Sequence, residues 1–328
     1  MEIHQVSPDD ASRVRAVLAV SNAVSEADSP WLPPHTEQSM VGAMRHGWDG
    51  EPAVRFLATD GDDAIGAAAY STSTWDNTHL AWLEVSVHPD HRRRGLGSEI
   101  LAELLTRASA EGRTSVGIDG WESDSTRAFA ASHGFDLKAV EVMRRQVMAD
   151  VEWPRVTSLH EAARVAAGDY ELVRRVGRTP EEELPSLAVM TAAINDAPTD
   201  DLDIEDEVFT PTRIQDYESA QLGRGRELLR VLARHRDTGE LAGQTVVVVE
   251  QERPELGEQH DTSVVAKHRG HRLGLLLKTE MLGWLRETQP RLVSLDTWNA
   301  ESNDHMIAVN EQLGYRVVGR SLAFQRSL

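Results

Sequence analysis

Cysteine is absent from the 328 residues. That excludes disulfides, thiolate-held metal ions and a cysteine acyl-enzyme, and no metal site is expected. Positive charge is also scarce. Lysine and arginine number 34 against 53 acidic residues, for a formal net charge of −19. A surface of that sign repels the phosphate backbone, so nucleic acid is not an expected partner. It steers cationic small molecules inward instead. Lysine occurs only at Lys138, Lys267 and Lys278, so arginine carries nearly all the positive charge. No apolar run approaches the ~20 residues of a membrane span. The opening MEIHQVSPDD has neither a basic nor an apolar leader segment. A cytoplasmic location, with no membrane partner, is the expectation.

What is present is a repeat. His88-Pro-Asp-His-Arg-Arg-Arg-Gly-Leu-Gly97 is echoed by Val265-Ala-Lys-His-Arg-Gly-His-Arg-Leu-Gly274, and His133-Gly134-Phe135 by Leu313-Gly314-Tyr315. The offset is 177 residues from Arg92 to Arg269 and 180 from Gly134 to Gly314. Two landmarks at nearly one offset indicate duplication. The expected domains are 1–150 and 158–328, joined near Ala149–Thr157, where Pro154 interrupts the pattern. Periodicity predicts the succession β-α-α-β-β-β-α-β-α-β in each half. In the first half the helix after the glycine loop is read from Leu96, Ile100, Leu101, Leu104 and Leu105 at helical spacing. In the second half a helix is expected over 180–194.

The segment Arg92-Arg93-Arg94-Gly95-Leu96-Gly97-Ser98 falls where a strand ends and a helix begins. Unpaired amides and the positive dipole end at a helix N-terminus suit phosphate. Glycines at 95 and 97 let the backbone approach a diphosphate without a Cβ in the way. In the second copy Arg269 and Gly274 match, but Arg272 stands where the first glycine is expected, with Gly270 two residues before it.

Arg92, Gly95 and Gly97 fill the pattern Q/R-x-x-G-x-G/A, which resembles the acyl-CoA loop of the GCN5-related N-acetyltransferases (GNAT). The resemblance covers both halves and is similar to the tandem layout of mycothiol-synthase-like members. It implies an α/β (α+β) fold of two GNAT-type domains, each a mixed, mostly antiparallel central sheet flanked by helices. It implies acetyl-CoA as cosubstrate, its pantetheine arm along Val85, Ser86 and Val87, and its pyrophosphate on the 92–98 loop. In the second half it implies Val264, Arg269, Gly270, Arg272, Gly274 and Asn303. The implied reaction is direct attack by an amine in a ternary complex. A base is sought on the fourth strand of each half, at Glu84 and Asp261, with His79 and His260 as weaker candidates. The family's tyrosine, four residues before the Gly-Phe pair, is replaced by Ala130 and Asn310. The acceptor reads as a small, cationic amine. The alternatives are a CoA-binding sensor without turnover, or an acetyltransferase acting on protein N-termini or lysines. Acceptor choice would fall to the first two helices of each half, with Trp31, His35 and Trp48 in one. In the other stands the acidic stretch Asp200, Asp201, Asp203, Glu205, Asp206 and Glu207, which charge alone reads as a solvated loop. Oligomeric state is not legible.

Overall fold

The computed structural model describes Met1–Leu328. In chain order its elements are β1 (Glu2–Val6), α1 (Ala11–Asp28), α2 (Glu37–His46), β2 (Val54–Asp60), β3 (Asp63–Ser71), β4 (Leu80–Val87), α3 (Leu96–Ala110), β5 (Ser115–Trp121), α4 (Asp124–Ser132) and β6 (Asp136–Val147). The second half continues with α5 (Trp153–Ala166), β7 (Tyr170–Val176), α6 (Leu184–Thr191), α7 (Pro211–Gly223), β8 (Arg226–His235), β9 (Leu241–Glu250), β10 (Leu256–Val264), α8 (Leu273–Thr288), β11 (Ser294–Ala300), α9 (Asp304–Gln312) and β12 (Arg316–Ser327). Apart from α5, the predicted succession is found in both halves.

The chain forms two compact units. The first comprises Met1–Glu141, Thr199–Asp206 and Gly319–Leu328; the second comprises Val142–Pro198 and Glu207–Val318. In the first, β1, β2, β3 and β4 run antiparallel in sequence, β4 pairs in parallel with β5, and β5 pairs antiparallel with β12. Side-chain alternation along β4 and β5 puts Ala81, Leu83, Val116 and Ile118 under α3, where Ile100, Leu101, Leu104 and Ala108 close the core. Helix starts are fixed by side chains that satisfy orphan amides. Asp10 accepts from the Arg13 amide, and Thr36 and Ser39 form a reciprocal capping box.

The second unit repeats this plan. β7, β8, β9 and β10 are antiparallel neighbours, and β10 pairs in parallel with β11. Residues 142–147 of β6 belong to this unit, beside β11. Leu276, Leu277, Met281 and Leu285 of α8 pack with Val247, Val249 and Leu295 of the sheet. A buried ion pair ties α7 to β8: Arg230 donates to Glu218 at 2.6 Å, and the Thr179 hydroxyl and amide donate to the same carboxylate at 2.6 and 2.9 Å. Removing one member of such a set typically costs about 3–5 kcal/mol, because the other charge is left buried alone.

Three expectations are corrected. Pro154 does not interrupt structure: it occupies the first turn of α5, where a missing amide hydrogen costs nothing. The helix expected over 180–194 is divided into 3-10 turns at Glu181–Glu183 and Ala192–Asp196 around the short α6. The division into 1–150 and 158–328 also differs from the compact units. The chain's last strand completes the first unit's sheet, with Ser321 to Ser327 paired along Trp121 to Ser115. The acidic stretch at 199–206 belongs to the first unit as well. Asn77 accepts from the Glu205 amide at 2.7 Å and donates back to Glu205 at 3.2 and 3.3 Å. The Asp203 amide donates to Gln325 at 2.6 Å, and the Asp203 carboxylate lies 3.5 Å from His79. The stretch is therefore held by hydrogen bonds, which composition could not indicate.

Leu322 and Phe324 of β12 are buried in the first core. At about 1.5–3 kcal/mol for each such side chain, their loss removes a large share of a domain's ~5–15 kcal/mol. A fragment ending at residue 150 is therefore expected to lack a cooperative unfolding transition. Adding a peptide of residues 316–328 should restore it, as followed by circular dichroism during denaturation. A cooperative 1–150 fragment without the peptide would contradict this.

Candidate active site

In the first unit β4 and β5 are paired only from Leu80–Ser115 to Leu83–Ile118. Beyond that point β4 stays with β3 as far as Val87, while β5 follows β12 as far as Trp121. The two parallel strands part, and Glu84 to Val87 lose their neighbour on the β5 side. An extended ligand can use the backbone edge this leaves at Val85, Ser86 and Val87. The second unit parts in the same way, after Gln259–Thr297, and leaves the run to Val264. There the β10–β9 register also shifts between Gln259 and Thr262, a bulge at His260 and Asp261.

The loops that follow take the same backbone. In the first, Arg93 (φ 64°) and Gly95 (φ 86°) are left-handed; in the second, Gly270 (φ 87°) and Arg272 (φ 57°) are. Glycine and arginine have exchanged the two left-handed positions, and the fold is preserved. Gly95 and Arg272 are the residues immediately before α3 and α8. The first intrahelical bonds are made by the amides of Ser98 and Glu99 to the Gly95 carbonyl, which leaves the amides of Leu96 and Gly97 ahead of them. A Cβ at Gly95, Gly270 or Gly274 would meet nothing within 4 Å, whereas one at Gly97 would press on Phe129 at 3.2 Å, so in the first loop the open space lies over Gly95. The unpaired amides there fit an anionic diphosphate. The charges differ: Arg93 and Arg94 are exposed in the first loop, whereas His271 stands in the place of Arg94 in the second.

Arg92 and Arg269 brace the loops. The Arg92 Nε donates to the Val87 carbonyl at 3.1 Å, and its two terminal nitrogens grip Asp28 at 2.8 and 2.7 Å. Asp28 ends α1, where an acidic side chain opposes the helix dipole unless a cation answers it. Arg269 repeats the device on the Val264 carbonyl at 3.1 Å and on Asp196. At the far side of the first loop the Ser98 hydroxyl lies 2.9 Å from His133, just past the end of α4.

The two expected bases have different surroundings. Glu84 is ion-paired to Arg55 at 2.7 Å. Asp261 is at the β10 bulge, and burial pushes its carboxyl up. Beside it the Tyr217 hydroxyl is 2.6 Å from His260 Nδ1, and His260 Nε2 is 3.5 Å from Glu258. Burial pushes Glu258 up, but His260, Arg226 and Arg224 outweigh it and hold the carboxyl down at about 2. His79 faces Asp203 at the other end of β4, away from the parting.

Sequence reasoning missed Asp119. It follows Ile118, the last residue of β5 paired with β4, and accepts from Trp82 Nε1 at 2.6 Å. Its one available signal is that it is the lone charge in the strand Ser-Val-Gly-Ile-Asp-Gly-Trp. Asn303, expected at the cofactor, caps α9 through the Met306 amide at 3.2 Å, as Ser123 caps α4 through Thr126. Ala130 is fully buried, and Asn310 donates to Asn299 at 2.7 Å.

Where the first unit is apolar at Leu83, Leu101 and Ile118, the second has Gln259, Lys278 and Thr297. Lys278 is 2% exposed, 3.5 Å from the Gln259 carbonyl oxygen and 4.9 Å from the centre of the Tyr315 ring. Burial holds its ammonium down at about 7.

Residues 21–135 match the Acetyltransferase (GNAT) family. Mycothiol acetyltransferase from Stackebrandtia nassauensis is 32% identical over 101 residues, which is 31% of this chain and 32% of that protein. The Thermobifida fusca protein of the same name is 30% identical over 186 residues, or 55% and 56%. The chain thus spans from a third to just over half of the length of these relatives. A solved tandem GNAT protein from the clavulanic acid biosynthesis pathway superposes with a TM-score of 0.81 at 25% identity, over 99% of this chain and 98% of that one.

Lys278 yields a pH-dependent stability. The unfolded chain keeps this proton up to about pH 10.5 and the folded chain releases it near 7, so stability climbs with pH across that window. Lys278→Met is expected to stabilise the second unit by ~3–5 kcal/mol below pH 7 and to flatten that climb. Denaturant midpoints measured against pH test this; parallel curves for the two proteins would refute it.

Proposed function

From the premise that this is a tandem GNAT chain, with its family match at 21–135 and the tandem fold over its length, we propose that it is an acetyl-CoA-dependent N-acetyltransferase acting on a small, cationic amine. The observation that carries this reading is the pairing of a parted β4–β5 edge with an open amide loop at the head of α3. The edge at Val85, Ser86 and Val87 would take the pantetheine arm. The amides of the 93–98 loop would take the pyrophosphate, with Arg93 and Arg94 adding charge. Arg92 holds the loop to Val87 and Asp28 rather than reaching for ligand. Bound there, the thioester supplies an activated acetyl group. The protein's own task is to orient an amine, remove its proton and exclude water.

The second loop's matching left-handed geometry supports a second acyl-CoA site along Val264, Gly270, Arg272 and Gly274, with Arg269 bracing the loop as Arg92 does. Its machinery differs, since Trp298 follows the last paired residue of β11 where the first unit has Asp119. The first unit is accordingly the one assigned turnover. The matched relatives carry the name mycothiol acetyltransferase, and the solved tandem protein is placed by its own name in clavulanic acid biosynthesis. A small-molecule acceptor for this chain is inferred by likeness to them, and its cationic character from the net charge of −19.

Calorimetry on the full chain is expected to show two acetyl-CoA sites, the tighter near −8 kcal/mol, roughly a micromolar Kd. A β-branched residue cannot hold a left-handed conformation without strain, so Gly95→Val and Gly270→Val should each abolish one site. One site that neither variant affects would overturn the assignment. Release of free CoA across an amine library should identify the acceptor. Binding without release for any amine would favour a sensor, and release only with peptides would favour a protein acetyltransferase.

A further inference from the structure

We propose that Asp119 is the catalytic base of the first unit, taking the proton of a small primary amine held against the indoles of Trp82 and Trp121; this rests on the acetyl-transfer reading above. Two carboxylates flank the point where β4 and β5 separate, Glu84 from one strand and Asp119 from the other. Their partners set them apart. Glu84 is ion-paired to Arg55 at 2.7 Å. Asp119 has only the neutral indole of Trp82, at 2.6 Å on one oxygen. Burial, and then the charge of Glu84, raise its carboxyl above the ordinary aspartate range. Its side chain is nevertheless reached by solvent. Opposite it, β12 offers Ala323 flanked by Ser321 and Gln325, none of them titratable. The charge that acts on Asp119 is that of Glu84, which is itself paired with Arg55.

The wall beside it is built for close approach. A Cβ on Gly117 would collide with the Trp82 ring, so the indole lies flat against β5. Gly319 likewise leaves room for Trp121 and Trp31, whose rings meet edge to face with centroids 5.1 Å apart. Indole faces attract ammonium groups, and the adjacent carboxylate can then take a proton. The neutral amine attacks the thioester carbonyl, the C–N bond forms and the C–S bond breaks; the leaving thiolate takes the proton shed by the acylated nitrogen, and Asp119 returns its own proton to water. The raised carboxyl suits a base that must hold a proton briefly. Trp298 at the matching place in the second unit has no such capacity.

Asp119→Asn is expected to lower kcat for the amine by about 100-fold or more, with the acetyl-CoA Kd within about twofold of the parent. The acidic limb of the parent's rate–pH profile should vanish. Glu84→Gln should cost less than about tenfold. An Asp119→Asn variant within about threefold of the parent at every pH, or one whose loss lies wholly in amine KM, would overturn the base assignment. An independent arm uses no turnover. Carbodiimide coupling to glycine ethyl ester consumes the protonated carboxyl, so across a pH series peptide mapping should find Asp119 labelling persisting to higher pH than that of an ordinary aspartate. Loss of Asp119 labelling over the ordinary aspartate range would overturn the proposal. If the parent acetylates no amine at all, the functional reading falls while the labelling still decides the state of Asp119.

Discussion

Parallel strands that part after four paired residues are the constraint on which the rest depends. β4 cannot follow β5 past Leu83, because each is committed to a different neighbour: β4 to β3 as far as Val87, β5 to β12 as far as Trp121. Backbone groups left without partners are costly unless water or a ligand meets them. The separation thus creates an edge that can accept an extended chain, a helix N-terminus at its head, and two carboxylates on its lips. Arg92 maintains it by fastening the end of β4 to α1.

The duplication explains how one geometry survives unlike sequences. Each loop needs two left-handed residues, and each copy fills one with glycine and the other with arginine. A left-handed non-glycine residue costs roughly 1 kcal/mol, and each copy carries that strain once. Below the loops the copies diverge. The first has an apolar core of Leu83, Leu101 and Ile118 and an acid at the parting. The second has Lys278, Gln259 and Thr297 within its core, with a Tyr217–His260–Glu258 chain at its bulge. A buried amine with a lowered proton affinity costs stability, so its presence there marks a unit not optimised for packing alone.

The order of elements, the α3 face and the place of the glycine loop between β4 and α3 were legible because local periodicity and glycine placement encode them. Helix α5 was not, because Pro154 was read as a break; in a first turn the same residue is tolerated. Asp119 was not, because an acid in a short apolar strand acquires a role only once Trp82 and the end of pairing are known. Asn303, for its part, caps α9, a role that an asparagine before a helix has on physical grounds.

By itself the sequence determined that there are two copies, where each loop begins, and what chemistry the absence of cysteine forbids. Those are properties of spacing and composition. Only the tertiary structure decided that the final segment, Gly319–Leu328, completes the first unit and that the acidic stretch is pinned by Asn77 and Gln325. It also decided that Glu84 pairs with Arg55 and Asp119 with the Trp82 indole. Strand partners and ion-pair partners are chosen between residues far apart in the chain, by register and burial that no local pattern records.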